Sequence, residues 1–124
     1  MFEINMWTDE NGNSPVDDFL DKLYTNNLKL YVKTMRNLNL LEATGNLLGM
    51  PYSKPLKDGL FELRSSQGNN ISRLFYFFDK GGIIIVDHAI LKKTQKIPSA
   101  DLNLALERKE DYARRREDDL QGKA

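Results

Sequence analysis

The sequence predicts an α+β domain: a small, mostly antiparallel sheet of about four strands with helices packed on one face, in the order β-α-α-β-β-β-α. Three observations predict it. Apolar residues alternate at period two at the N-terminus. They then recur at helical spacing, before a series of short apolar runs separated by Gly/Asn turns. The 124 residues are one domain's worth. We place that domain at 1–116, with a charged, frayed tail at 117–124.

In "FEINMW", Phe2, Ile4 and Met6 alternate with Glu3, Asn5 and Trp7, which reads as a strand. "DENGNS" is a turn. Ser14 then caps a helix, with Pro15 at its first position and Asp17 at its third. Phe19, Leu20, Leu23 and Tyr24 form its stripe. A second helix begins near Asn27, carries Leu28, Leu30, Tyr31, Met35, Leu38 and Leu41, and ends at Gly45. So few residues join the two that they form an antiparallel hairpin. "GNLLGMPYSKPLKDG" reads as a loop, because Gly and Pro interrupt it throughout. Three strands follow, "LFELRSS", "ISRLFYFFD" and "IIIVDHAIL", joined by the turns "QGNN" and "KGG". Ser99 caps a last helix with Leu102, Ala105, Leu106 and Tyr112 as its buried stripe. One sheet face meets the helices, and the other is left as a working surface.

Composition removes several functions. There is no cysteine, so disulfides, zinc thiolates and cysteine nucleophiles are excluded. His88 is the single histidine, beside Ala89 and Ile90, where a structural, hydrogen-bonded role is the ordinary one. No Gly-rich phosphate loop, dinucleotide fingerprint or spaced metal-ligand pair occurs, so no cofactor and no metal are expected. The adjacent carboxylates Asp17/Asp18 and Glu110/Asp111 fall on helices, where neighbours point apart. No membrane-length apolar run is present, and the N-terminus lacks the basic-then-apolar order of a signal peptide. The expectation is a cytoplasmic protein without membrane contact.

The net charge of zero hides a pattern. Residues 51–98 carry eight bases against four acids, and residues 1–50 carry four bases against seven acids. Five of the bases, Arg64, Arg73, Lys92, Lys93 and Lys96, lie on or just after consecutive strands. Arginine offers a planar fork for phosphate oxygens, and lysine a mobile charge that can hold a phosphate or move a proton. With Tyr52 and Tyr76 near such a cluster, the pattern suits single-stranded RNA. Register decides the matter. If Ser65 pairs with Ile71 across a five-residue loop, Arg64 lies opposite Ser72 and Arg73 faces the other way, whereas a bulge or a longer loop reunites them. The plain alternatives are an edge arginine at Arg73 paired with Glu62 or Asp79, solubilising lysines at a strand exit, and Trp7 and Tyr76 as packing residues.

"LKDGLFELR", "RLFYFFDKGGIIIVDHAILKKTQKIP" and the following "ALERKEDY" closely resemble the HigB-type, phage-derived (Gp49-like) branch of the RelE/ParE toxin superfamily. The resemblance spans about residues 54–115 in order and spacing. It implies a RelE/ParE-like fold and the toxin of a bacterial type II toxin–antitoxin pair. It also implies a metal-independent endoribonuclease that cuts mRNA, usually on the translating ribosome. The ribose 2′-OH attacks the adjacent phosphate and leaves a 2′,3′-cyclic phosphate. The implied partners are mRNA, the ribosome and a helix-turn-helix, HigA-like antitoxin.

Carried over by motif, the arginine of "ELR" is Arg64, that of "RLFY" is Arg73, and the bases of "KKTQK" are Lys92, Lys93 and Lys96. The expectation is that Arg73 holds the scissile phosphate and that Arg64, counted with the catalytic residues, helps grip the RNA. Lys93 or Lys92 stabilises charge or transfers a proton. Lys54, Lys57, Lys96 and Tyr76 grip RNA. Two other functions share the fold: a ParE-like inhibitor of DNA gyrase that cuts nothing, and an inactive phage-derived binding module.

Overall fold

A computed structural model describes residues 1–92 and 96–122. Its elements in chain order are β1 (Glu3–Met6), α1 (Pro15–Asn26), α2 (Leu28–Thr44), β2 (Ser53–Pro55), β3 (Phe61–Gln67), β4 (Asn70–Asp79), β5 (Ile83–Lys92) and α3 (Ser99–Leu120), with a 3₁₀ turn at Gly45–Leu47. The α+β class stands, as a five-stranded mixed sheet of order β1-β5-β4-β3-β2. β1 runs parallel to β5, and the other pairs are antiparallel.

Local chemistry sets the ends of α1 and α2 as expected, whereas Ser99 is not the cap of α3: it is the helix's first residue, after Pro98, and no side chain caps that end. The Ser14 hydroxyl accepts from the Asp17 amide, and Pro15 opens α1 without wasting a donor. Asn27 serves both helices. Its amide donates to Leu23 O at 2.8 Å to close α1, and its side chain accepts from the Leu30 amide at 3.2 Å to start α2. Gly45 closes α2 at φ +55°, where a Cβ would stand 2.0 Å from a carbon of the Phe2 ring.

The sequence left one strand inside a loop. β2 is three residues long and ends on Pro55, which a strand tolerates only at a sheet edge. Its partners are Leu63, Glu62 and Phe61 of β3.

The helices occupy both faces, not one. Leu63, Leu74, Tyr76, Ile84 and Val86 meet Val16, Leu20, Leu38 and Leu41 of α1 and α2. The alternate residues Phe75, Phe77, Ile85 and Ile90 form a second core with Ala105, and Leu102, Leu106 and Tyr112 pack against it. "LFYFF" signals this arrangement, since its apolar run leaves no polar face. Trp7 anchors α3: its indole donates to Asp111 Oδ2 at 3.0 Å, and the Arg108 and Arg115 guanidinium groups lie 4.8 and 5.5 Å from its ring. α3 continues as helix to Leu120, so residues 117–120 are not the frayed tail expected. Residues 123 and 124 of that tail lie outside the described residues.

A bulge in β5 serves the second core. Phe75 faces His88 and Tyr76 faces Val86, so Asp87 has no partner in β4. The extra residue turns both Ile85 and His88 toward α3.

Candidate functional site

The β3–β4 turn decides which cations meet. Gln67 pairs with Asn70, leaving a two-residue turn at Gly68–Asn69, with Gly68 at φ +60°. The pairing runs closer to the turn than a Ser65–Ile71 register would allow. Arg64 therefore stands directly opposite Arg73, and both side chains share the face on which α3 packs. Lys92 pairs with Ile71, two residues beyond the Arg73–Ile90 pair, and so lies on that face as well. Standard strand spacing puts the Cα atoms of Arg64 and Lys92 roughly 12 Å apart. Lys92 is exposed, and Arg64 is half-buried.

Arg73 lies deeper than Arg64. It is 1% exposed on the central strand and forms an ion pair with Glu62, also 1% exposed. Glu62 lies two residues before Arg64 on the same face. The buried arginine thus neutralises the one carboxylate of β3 that would otherwise compete for Arg64.

The other expected residues scatter. Lys54 is exposed on β2 opposite Glu62, diagonal to Arg64. Lys57 is exposed in the turn before β3, at the strand end remote from Gly68. Lys96 is exposed. Lys93 lies outside the described residues. Tyr76 points into the α1/α2 core, 1% exposed, stacked on Phe61 at 5.4 Å and hydrogen-bonded to Ser53, as its packing alternative anticipates. Burial raises its hydroxyl pKa.

Two groups escaped the sequence reading. The first is a polar network beneath α3. His88 Nε2 donates to Asp101 Oδ1 at 2.9 Å, and Arg108 Nη1 donates to His88 Nδ1 at 3.1 Å and to the Asp87 carbonyl at 2.9 Å. Burial lowers the His88 pKa, with Asp101 opposing. Asp87 is fully buried, and neither carboxyl oxygen has a hydrogen-bond partner among the described residues. Burial pushes its carboxyl up to about 8 against the pull of Arg108 and Lys109. His88 accordingly has the structural role expected of it. The second is a cleft of about 820 Å³ between α2 and the segment Met50–Tyr52, reached by Lys33 and Arg36. Their i,i+3 spacing on the exposed flank of α2 was the available signal.

Among the described residues no three His, Cys, Asp or Glu side chains group as metal ligands do, and no helix is long and apolar enough to cross a membrane. A search of the curated proteins finds no match. The family model described as phage derived protein Gp49-like (DUF891) matches residues 18–110. The match takes in both hairpin helices, the whole sheet except β1, and half of α3, so the chain belongs to the Gp49-like family and, with it, to the RelE/ParE-like toxin superfamily.

Proposed function

We propose that this protein is the toxin of a bacterial type II toxin–antitoxin pair and an endoribonuclease of the HigB type, acting on mRNA at the ribosome in the cytoplasm. Members of the Gp49-like family are typically toxin-like modules of such systems. The observation that carries the reading is the register that sets Arg64 and Lys92 on one face, two strands apart, with the Glu62 charge already taken by Arg73. Two long cationic side chains at that separation bracket a phosphodiester.

The chemistry follows from charge. Attack of the ribose 2′-oxygen on phosphorus, with the hydroxyl proton released to solvent, forms the new P–O bond and breaks the bond to the 5′-oxygen, giving a 2′,3′-cyclic phosphate and a 5′-hydroxyl. Negative charge builds on the phosphoryl oxygens, where the Arg64 fork offers two donors. Lys92 or Lys93 supplies the proton that the departing 5′-oxygen needs, and no step calls for a metal ion. Arg73 acts through Glu62 as a positioning residue. Lys54, Lys57 and Lys96 hold flanking phosphates. The partner that silences the site is a helix-turn-helix, HigA-like antitoxin.

The test is inducible expression in a bacterium with mapping of mRNA 5′ ends. Transcript cleavage that is lost in Arg64→Ala is the expected result. Growth arrest with intact transcripts and accumulated DNA breaks would replace this reading with gyrase inhibition. No effect on growth would leave an inactive binding module.

A further inference from the structure

The cleft beside α2 is built asymmetrically. One wall is α2, with Lys33, Arg36 and Asn37. The other is Met50–Tyr52, and the floor is β3 from Arg64 to Ser66. β2 stops pairing at Leu63, so this stretch of β3 is open to the cleft beyond the Arg64–Tyr52 backbone hydrogen bond. Its described lining carries the α2 cations Lys33 and Arg36 and no carboxylate, in a chain whose 18 bases and 18 acids balance. The amide of Asn37 holds Arg64 O and Ser65 Oγ at 3.2 and 2.8 Å, and Lys33 Nζ holds Ser66 O at 3.1 Å, so wall and floor are fixed to each other. Across from these cations, Tyr52 is 42% exposed and Met50 is 71% exposed. Neither helix core covers them.

A row of cations facing an uncovered aromatic ring is what single-stranded nucleic acid requires: phosphates on one side, a base on the other. The volume is within the roughly 300–1,000 Å³ of ordinary ligand sites. We propose that this cleft is a second RNA subsite. It would hold a single-stranded segment next to the scissile phosphate, with Arg36 and Lys33 on its backbone and Tyr52 stacked on a base. Arg64 lies between the two: its carbonyl is on the cleft floor, bound by Asn37, and its side chain is on the α3 face. This inference rests on the endoribonuclease reading and adds a binding track that the cations of the sheet do not supply. An acidic protein segment would satisfy the charges but has no use for a flat ring opposite them.

The experiment pairs two readouts on wild type, Arg36→Gln, Tyr52→Ala and Tyr52→Phe. One is fluorescence anisotropy with a short 2′-O-methyl RNA, which cannot be cut, across a salt series. The other is transcript cleavage in cells at matched protein level. Tyr52→Ala should weaken binding roughly tenfold, with Tyr52→Phe close to wild type. Arg36→Gln should weaken binding and lower the salt slope by about 0.7. Cleavage should fall in parallel. Cleavage by wild type that Arg36→Gln and Tyr52→Ala leave unchanged would overturn this inference alone. So would variants that keep RNA binding and cleavage but lose binding to a polyglutamate probe. A wild type that neither binds the oligonucleotide nor cuts transcripts would overturn the endoribonuclease reading and this inference with it.

Discussion

Arg64 and Arg73 face each other directly across β3 and β4, yet only Arg64 is open to solvent, because Arg73 is held by Glu62 inside the sheet. Two residues that look equivalent in the sequence therefore divide the work. Arg64 carries the proposed phosphate contact, and Arg73 carries the scaffold beneath it.

The first prediction separates those roles. Arg64→Ala should change stability by less than about 1 kcal/mol and reduce transcript cleavage by about 100-fold or more. Lys92→Ala should give a smaller loss of cleavage with equally little effect on folding. Thermal unfolding beside 5′-end mapping reads both quantities on the same preparations.

Arg73→Ala should instead cost about 3–5 kcal/mol, because it leaves the Glu62 carboxylate buried without its cation. The double change Arg73→Met with Glu62→Leu should recover most of that stability, since two apolar side chains replace a desolvated pair. Urea unfolding of the two single variants and the double variant forms the cycle. If the recovered double variant also cuts RNA, Arg73 touches no substrate.

Glycine positions offer a third test. Gly45→Ala forces a Cβ into the Phe2 ring at a positive φ and should cost about 2–4 kcal/mol. Gly68→Ala meets no atom within 4 Å and should cost about 1–2 kcal/mol, from the backbone alone. Their melting temperatures should rank in that order.

Asp87 sets a pH dependence. Its folded pKa of about 8 lies above the ordinary 3.8, so the folded state keeps a proton that the unfolded chain releases. The resulting stability is complete below about pH 4 and is lost as pH rises toward 8, at up to about 1.4 kcal/mol per pH unit. His88, with its lowered pKa, acts in the opposite sense: its contribution is present above 6.5 and is lost as pH falls. Asp87→Asn should therefore flatten the fall in stability between pH 4 and 8 relative to wild type. Urea unfolding at pH 5 and pH 8 checks it.

What the sequence revealed depended on how far each signal reaches along the chain. The Ser14–Pro15 cap, the Asn27 break and the Gly45 stop are local chemistry, and each sits where its residue type indicates. β2 was hidden because a three-residue edge strand containing Pro55 has the composition of a loop. The face of α3 was misjudged because an amphipathic helix states that it has an apolar side, not which sheet face receives it. The burial of Arg73 and Tyr76 depended on where the β3–β4 turn closes and on Glu62 across the strand. That is pairwise information no single residue carries. The cations Arg64 and Lys92 were legible as types, and only the register placed them together.

The two-sided burial of β4 has a practical consequence. With both faces of the central strand given to packing, the proposed chemistry is confined to strand ends and one flank, outside either core. Substitutions at those positions should therefore change the proposed chemistry while leaving both cores packed. If the endoribonuclease reading holds, the same separation should let an inactive, folded version of the protein be produced in quantity by altering Arg64 alone.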